Sequence, residues 1–207
     1  MTDKKLTRRL LDICYENKLH HLGSYFSCLH IIDDIYKNKN ENDIFILSNG
    51  HAVVALYVVL EKYYGLDAQK LLEKYGEHPK RNELDHIHCS TGSLGMGICV
   101  AVGRAVGNPD RHVYCMVSDG ESNEGSVWEA LRFINDHHVK NITIHVNANG
   151  WAAYDPVDTI LLEGRMKAFL PRVKFHHTTV DQFGLDGIHA HYSNFSKEQY
   201  EEAIASL

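Results

Sequence analysis

The sequence predicts an α/β fold, a mainly parallel sheet with helices on both faces. Three observations lead there. Short β-rich apolar runs alternate with segments of helical spacing along the chain. The runs at 43–48, 112–117 and 141–146 each lead into Asn-Gly, Asp-Gly or Asn-Gly, which are turn formers. The chain has 207 residues, 44% hydrophobic and 23% charged, which suits one domain over 1–207 with a sizeable core rather than a disordered segment.

Leu6, Leu10, Leu11, Ile13 and Cys14 recur at helical spacing in a charged frame, predicting a helix over 3–18. His20-His21-Leu22-Gly23-Ser24 breaks it, and a second helix is expected over 25–37. Asp43–Ser48 reads as a buried strand ending at Asn49-Gly50, followed by helices over 51–64 and 67–75. The polar stretch 76–90 carries Pro79 and reads as a loop. Gly92-Ser93-Leu94-Gly95-Met96-Gly97 is a glycine-rich turn entering a small-residue helix over 98–106. The strand at 112–117 leads through a loop to a helix at 126–138, and the strand at 141–146 follows. A helix near 158–169, a strand near 172–180 and a helix at 196–206 complete the order. No repeat, low-complexity run or linker divides it.

Lys+Arg 21 against Asp+Glu 27 gives a net charge of −6, so a broad nucleic-acid surface is not expected. No apolar run reaches the ~18–20 residues of a membrane span. The start, Met1-Thr2-Asp3-Lys4-Lys5-Leu6, lacks the apolar stretch of a secretory signal. Cys14, Cys28, Cys89, Cys99 and Cys115 are odd in number and form no CxxC. Reduced thiols in a cytoplasmic protein are the expectation. The 15 histidines leave metal ligation, acid–base work and anion contacts all open.

In such a sheet, ligands sit beyond the carboxyl ends of the strands, which directs attention to the loops after 48, 117 and 146 and to the glycine turn. Exposed N–H groups at a helix start can hold an anion, yet an isolated glycine turn more often serves packing, and no Gly-Lys-Ser/Thr follows to make it a Walker motif. Ser118-Asp119-Gly120-Glu121 and Asn149-Gly150 follow neighbouring strands in this reading. Alone, each is a turn former; paired, the Asp119 carboxylate and Asn149 amide oxygen offer hard ligands for Mg2+ or Ca2+. His21, His51 and His78 fall in or beside loops, where they are either solvated or converge on a pocket to hold hydroxyls and move protons. His86-Ile87-His88-Cys89 has no second ligand pair at zinc-finger spacing, so it does not read as a zinc site.

Taken in order, these segments resemble the amino-terminal, diphosphate-binding domain of transketolases. The matching stretches are His21-Leu22-Gly23-Ser24, Leu47-Ser48-Asn49-Gly50-His51 and Glu77-His78-Pro79. Thr91–Gly97 comes next, then Ser118-Asp119-Gly120-Glu121 running on to Glu124–Ala130, and last Asn147-Ala148-Asn149-Gly150-Trp151. The likeness covers residues 15–155 in unbroken order, with Asp186-Gly187 as a weaker match. Asp119 and Asn149 are thirty positions apart, as in that family's thiamine diphosphate signature. Ser118 stands where the signature has its first glycine, and Asn147 where the family often has aspartate. Ala148 and Ala152-Ala153-Tyr154-Asp155 depart from its usual polar continuation.

The resemblance implies thiamine diphosphate with Mg2+ or Ca2+ held by Asp119, Asn149 and the main-chain carbonyl of Trp151. It implies that Gly120 donates its N–H to the diphosphate, and that Gly92, Ser93, Leu94 and His51 line the cofactor. His21, His51 and His78 look like the family's histidines around the thiazolium carbon and the sugar, and Glu124 like the glutamate linking two active sites across a subunit interface. Nothing after residue 155 resembles the second, pyrimidine-binding domain of transketolases. The implied protein is therefore one subunit of a split transketolase, active in two-carbon ketol transfer between sugars or sugar phosphates with a separate pyrimidine-binding subunit, in a heterotetramer. Two other readings remain: a non-catalytic regulatory or scaffolding relative, and a deoxyxylulose-phosphate-synthase or 2-oxoacid-dehydrogenase-like enzyme, which the Ser-Asn-Gly-His, Glu-His-Pro and Thr-Gly-Ser-Leu-Gly stretches resemble less closely.

Overall fold

The computed structural model describes residues 3–207; Met1 and Thr2, the first two residues of the domain expected over 1–207, lie outside the described residues. Four strands, β1 (Ile44–Leu47), β2 (Val113–Ser118), β3 (Ile142–Ala148) and β6 (Lys174–His177), form a parallel sheet in the order β1-β2-β3-β6. A small antiparallel hairpin, β4 (Trp151–Ala152) with β5 (Asp155–Pro156), follows β3. The helices are α1 (Lys4–Glu16), α2 (Leu22–Asn38), α3 (Val53–Tyr64), α4 (Ala68–Tyr75), α5 (Met96–Gly107), α6 (Gly125–Asp136), α7 (Thr159–Phe169), α8 (His189–Tyr192) and α9 (Lys197–Ala205). The α/β class and the parallel sheet expected from the sequence are what the structure has.

Strand alternation divides the core in two. Phe45, Leu47 and Met116 point into a cluster with α1–α4 and the carboxyl-terminal segment, where Leu10, Leu22, Tyr25, Leu29 and Leu60 are fully buried. Ile44, Ile46, Val113, Cys115, Ile142 and Ile144 point the other way, into a cluster with α5, α6 and α7. Burying one such aliphatic side chain contributes roughly 1.5–3 kcal/mol, so both layers anchor the sheet firmly. Helix starts carry their own caps: Asp3 accepts from the N–H groups of Lys5 and Leu6, Asp158 from Leu161, and Ser196 with Gln199 forms a capping box on α9.

Boundaries shift where tertiary contact overrides local signals. Helix α2 begins three residues earlier than predicted, because Gly23 packs against Val180 and Ala190 instead of breaking the chain. Helix α5 begins at Met96, two residues early, and β3 runs on to Ala148. Strand β6 is shorter than the 172–180 expected, and the hairpin and α8 have no counterpart among the expected elements. The hairpin carries Tyr154, whose ring stacks on Tyr192 of α8 at 5.4 Å, tying the two pieces together. Among the described residues no helix is long and apolar enough to cross a membrane. Cys14, Cys28, Cys89 and Cys115 are buried, Cys99 is exposed, and all five are free.

Candidate active site

Adjacent parallel strands bring the loops after β2 and β3 together, with Ser118 paired to Asn147 in register. Asp119 follows directly and is only 1% exposed. Its Oδ1 accepts from the N–H of Gly120 at 3.0 Å, and its Oδ2 accepts from the N–H of Gly150 at 2.6 Å, across the loop gap. Asn149 lies beside it, its Oδ1 accepting from the N–H of Trp151 at 3.1 Å. Ser27 on α2 settles which way the amides point: its Oγ accepts from Asn147 Nδ2 at 2.8 Å and Asn149 Nδ2 at 3.3 Å. Asn149 is thereby turned with its oxygen toward the loop. The Trp151 carbonyl oxygen lies 3.5 Å from where a Cβ on Gly120 would stand, and Ala152 Cα only 3.1 Å away, so Gly120 permits this close approach.

The glycine turn is held by a carboxylate whose role the motif does not reveal. Glu121 is fully buried, and its Oε1 accepts from Ser48 Oγ at 2.6 Å and from the N–H of Gly95 at 2.7 Å. Ser48 Oγ in turn accepts from the N–H of Ile98 at 3.0 Å, so β1, the turn and the loop after β2 share one network. Burial raises both acids, Asp119 to about 6 and Glu121 to about 6, because no basic side chain pairs with either among the described residues.

The histidines come from further away. His51, just after Gly50, has its Nε2 3.2 Å from Ser24 Oγ. His21 caps α2 in a left-handed conformation, φ 60°, with its ring centroid 5.5 Å from that of His51. His78 lies against Gly92, whose φ of 137° favours glycine and whose hypothetical Cβ would fall 2.6 Å from His78 Cδ2. A fourth, His191 on α8, meets His21 with Nε2 3.2 Å from His21 Nδ1. Burial lowers His21 and takes His51 to about 3 and His191 to about 4, so these rings are neutral near pH 7.

These groups line one cavity of about 350 Å3, which collects His21, His51, His78 and His191 together with Asp119, Gly120, Asn149 and Trp151. Gly92, Leu94 and Glu124 also line it, Glu124 exposed ahead of α6. Ser93 departs from its expected place: it is exposed on the turn and is not among the lining residues. Among the described residues no lysine or arginine lines the cavity. A buried, unpaired carboxylate beside an amide oxygen and a main-chain carbonyl fits a hard divalent cation and, through it, a diphosphate. Among the described residues no group of three or more His, Cys, Asp or Glu is arranged to hold a metal ion. Glu121 and Ser27 are seen in the fold alone; for His191 the sequence held no signal beyond the histidine surplus and the weak Asp186-Gly187 match.

Residues 24–169, more than half of the chain, match the transketolase, thiamine diphosphate binding domain. The chain is 31% identical over 170 residues to one subunit of the apulose-4-phosphate transketolase of Phocaeicola vulgatus, covering 72% of this chain and 60% of that protein. It is 34% identical over 136 residues to human transketolase, covering 58% of this chain but 22% of that protein. In structure it superposes on a transketolase variant of Pichia stipitis with TM-score 0.67 at 17% identity, covering 96% of this chain and 40% of that one. The Leishmania mexicana transketolase gives TM-score 0.65 at 15% identity, covering 95% and 41%. The chain therefore spans less than two thirds of the length of these relatives. Motif order, fold and family match agree, and the chain belongs to the transketolase family, of which it carries the thiamine diphosphate binding domain.

Proposed function

We propose that this chain is the diphosphate-binding half of a two-subunit, transketolase-type transferase that moves a two-carbon ketol unit between sugars or sugar phosphates. The observation that carries the reading is one cavity lined both by Asp119, Asn149 and Trp151 and by His21, His51, His78 and His191. The likeness to a protein named as one subunit of a transketolase supports a separate partner, of pyrimidine-binding type, in a heterotetramer. Residues 1–207 act as one domain in this account, and the free cysteines fit a cytoplasmic setting.

Asp119, the Asn149 amide oxygen and the Trp151 carbonyl would hold Mg2+ or Ca2+, and the Gly120 N–H would bind a diphosphate oxygen. When bound, thiamine diphosphate supplies the carbanion chemistry of ketol cleavage. The chain's own residues do the rest. Gly92 and Leu94 shape the wall beside the cofactor, while Ser93 has the weaker claim because it sits outside the cavity. Buried Asp119 would ionise more readily beside a bound cation, and Ser27, by accepting from Asn149 Nδ2, would keep the Asn149 oxygen free to face it. His21, His51 and His78 hold sugar hydroxyls and accept or return a proton at a ring nitrogen. Glu124, exposed ahead of α6, would meet a neighbouring subunit in this reading.

Turnover of the chain by itself and mixed with its pyrimidine-binding partner, with thiamine diphosphate and Mg2+, tests the reading. Activity that needs both subunits is expected; robust activity from the chain by itself contradicts the split site. Absence of cofactor binding even with the partner would favour a scaffolding relative.

A further inference from the structure

The segment after β6 reaches back to the amino-terminal side of the cavity. His191 is outside residues 24–169, the part matched to the family. It meets His21 twice: the His21 N–H donates to the His191 carbonyl at 2.8 Å, and the two rings face each other through His21 Nδ1 and His191 Nε2 at 3.2 Å. The rings cross at 65° with centroids 4.4 Å apart, and His51 completes the cluster at 5.9 Å from His191. The neighbouring His20 adds a second tether, its Nδ1 lying 3.0 Å from the Tyr192 carbonyl, and Ala190 is buried against Gly23. The left-handed backbone of His21, unusual for a residue with a Cβ, is thus held by the residue that also meets its ring.

A neutral imidazole carries one N–H, so a single proton lies between two facing ring nitrogens. If His21 donates from Nδ1, its Nε2 is a proton acceptor; if His191 donates, His21 carries its proton on Nε2. The two tautomers are coupled, and His21 Nε2 is the nitrogen left for the cavity.

We propose that His191 is a positioning residue that fixes the orientation and tautomer of His21. The catalytic consequence rests on the transketolase-type reading above, whereas the tautomer coupling does not. Long-range 1H–15N NMR of the imidazoles in the full chain separates the two. Wild type is expected to show one His21 tautomer, His191→Leu a mixture, and His191→Gln, whose amide reaches to the place of Nε2, a single tautomer again. A His21 tautomer ratio unmoved by His191→Leu overturns the inference. With the partner present, His191→Leu is expected to lower kcat about 10–100-fold with cofactor affinity unchanged, and His191→Gln to recover part of it. Unchanged kcat overturns the catalytic part. A wild-type complex with no turnover overturns the transketolase reading and leaves the NMR result to decide the coupling.

Discussion

Two pairs of histidines in this molecule meet ring nitrogen to ring nitrogen, in opposite settings. His21 and His191 line the cavity beyond the carboxyl ends of the strands. His145 on β3 and His176 on β6 meet at 2.9 Å, nearly parallel at 6°, on the sheet face that carries Met116 and turns toward α2. His145 is 4% exposed and its Nε2 has no partner. Burial takes it to about 3, much as it does His51. Similar chemistry thus occurs twice, and what separates the pairs is place. One lines the cavity with Asp119, Asn149 and Trp151; the other lies outside it, with His145 buried and His176 half-buried. Perturbed titration alone does not single out a functional group, because packing perturbs a buried histidine equally well.

The contrast is sharpest in turnover. His51→Leu and His78→Ala are expected to reduce the rate of the two-subunit enzyme by about 10²–10⁴-fold, with cofactor affinity retained in His78→Ala. His145→Leu is expected to leave turnover unchanged, and steady-state kinetics of the three variants would break the comparison if His145→Leu fell with the others. Next comes Ser27→Ala, which frees the Asn149 amide to turn and is expected to weaken metal-dependent cofactor binding about 10–100-fold by calorimetry. His145→Leu should also shift stability at pH 7.5 by no more than about 1 kcal/mol, because it removes an orphaned nitrogen and leaves half-buried His176 able to meet water. Chemical denaturation would measure that.

The smallest expected effect is the pH dependence of the cofactor-free chain. His51 and His145 are lowered to about 3, and His88 and His191 to about 4. Between those values and the ordinary ~6.5 the unfolded chain binds the extra protons, so stability falls as pH drops through this window. Asp119 and Glu121, raised to about 6, act in the opposite sense: the folded state keeps their protons, and stability falls as pH rises from about 4 to 6. The histidine shifts are larger and more numerous, so the thermal midpoint should climb from pH 4.5 to 6.5. His145→Leu should flatten that climb, and cofactor with Mg2+ should add most above pH 6, where Asp119 is ionised.

Much of the fold was legible because strands such as Ile44–Leu47 and Val113–Ser118 are short apolar runs stopped by turn residues, and α1 and α6 repeat their apolar positions at helical spacing. Motif order anticipated that Asp119, Asn149 and the three expected histidines would line one cavity. What escaped depends on contacts distant in sequence. The two-residue strands of the hairpin carry no periodicity, and four-residue α8 holds its shape by docking on α2 through Ala190. Ser27 and His191 matter through partners more than a hundred residues away, Asn149 and His21 respectively, which no local pattern announces. Ser93 shows the converse, a motif residue whose side of the turn faces solvent.

The central claim is that the loops after β2 and β3 hold the cofactor's metal and diphosphate. Calorimetric titration of thiamine diphosphate into the chain with its partner, with and without Mg2+, in wild type and Asp119→Ala, tests it most directly. Mg2+-dependent binding that Asp119→Ala abolishes while the fold persists is expected. Equal affinity without Mg2+, or in Asp119→Ala, would contradict it.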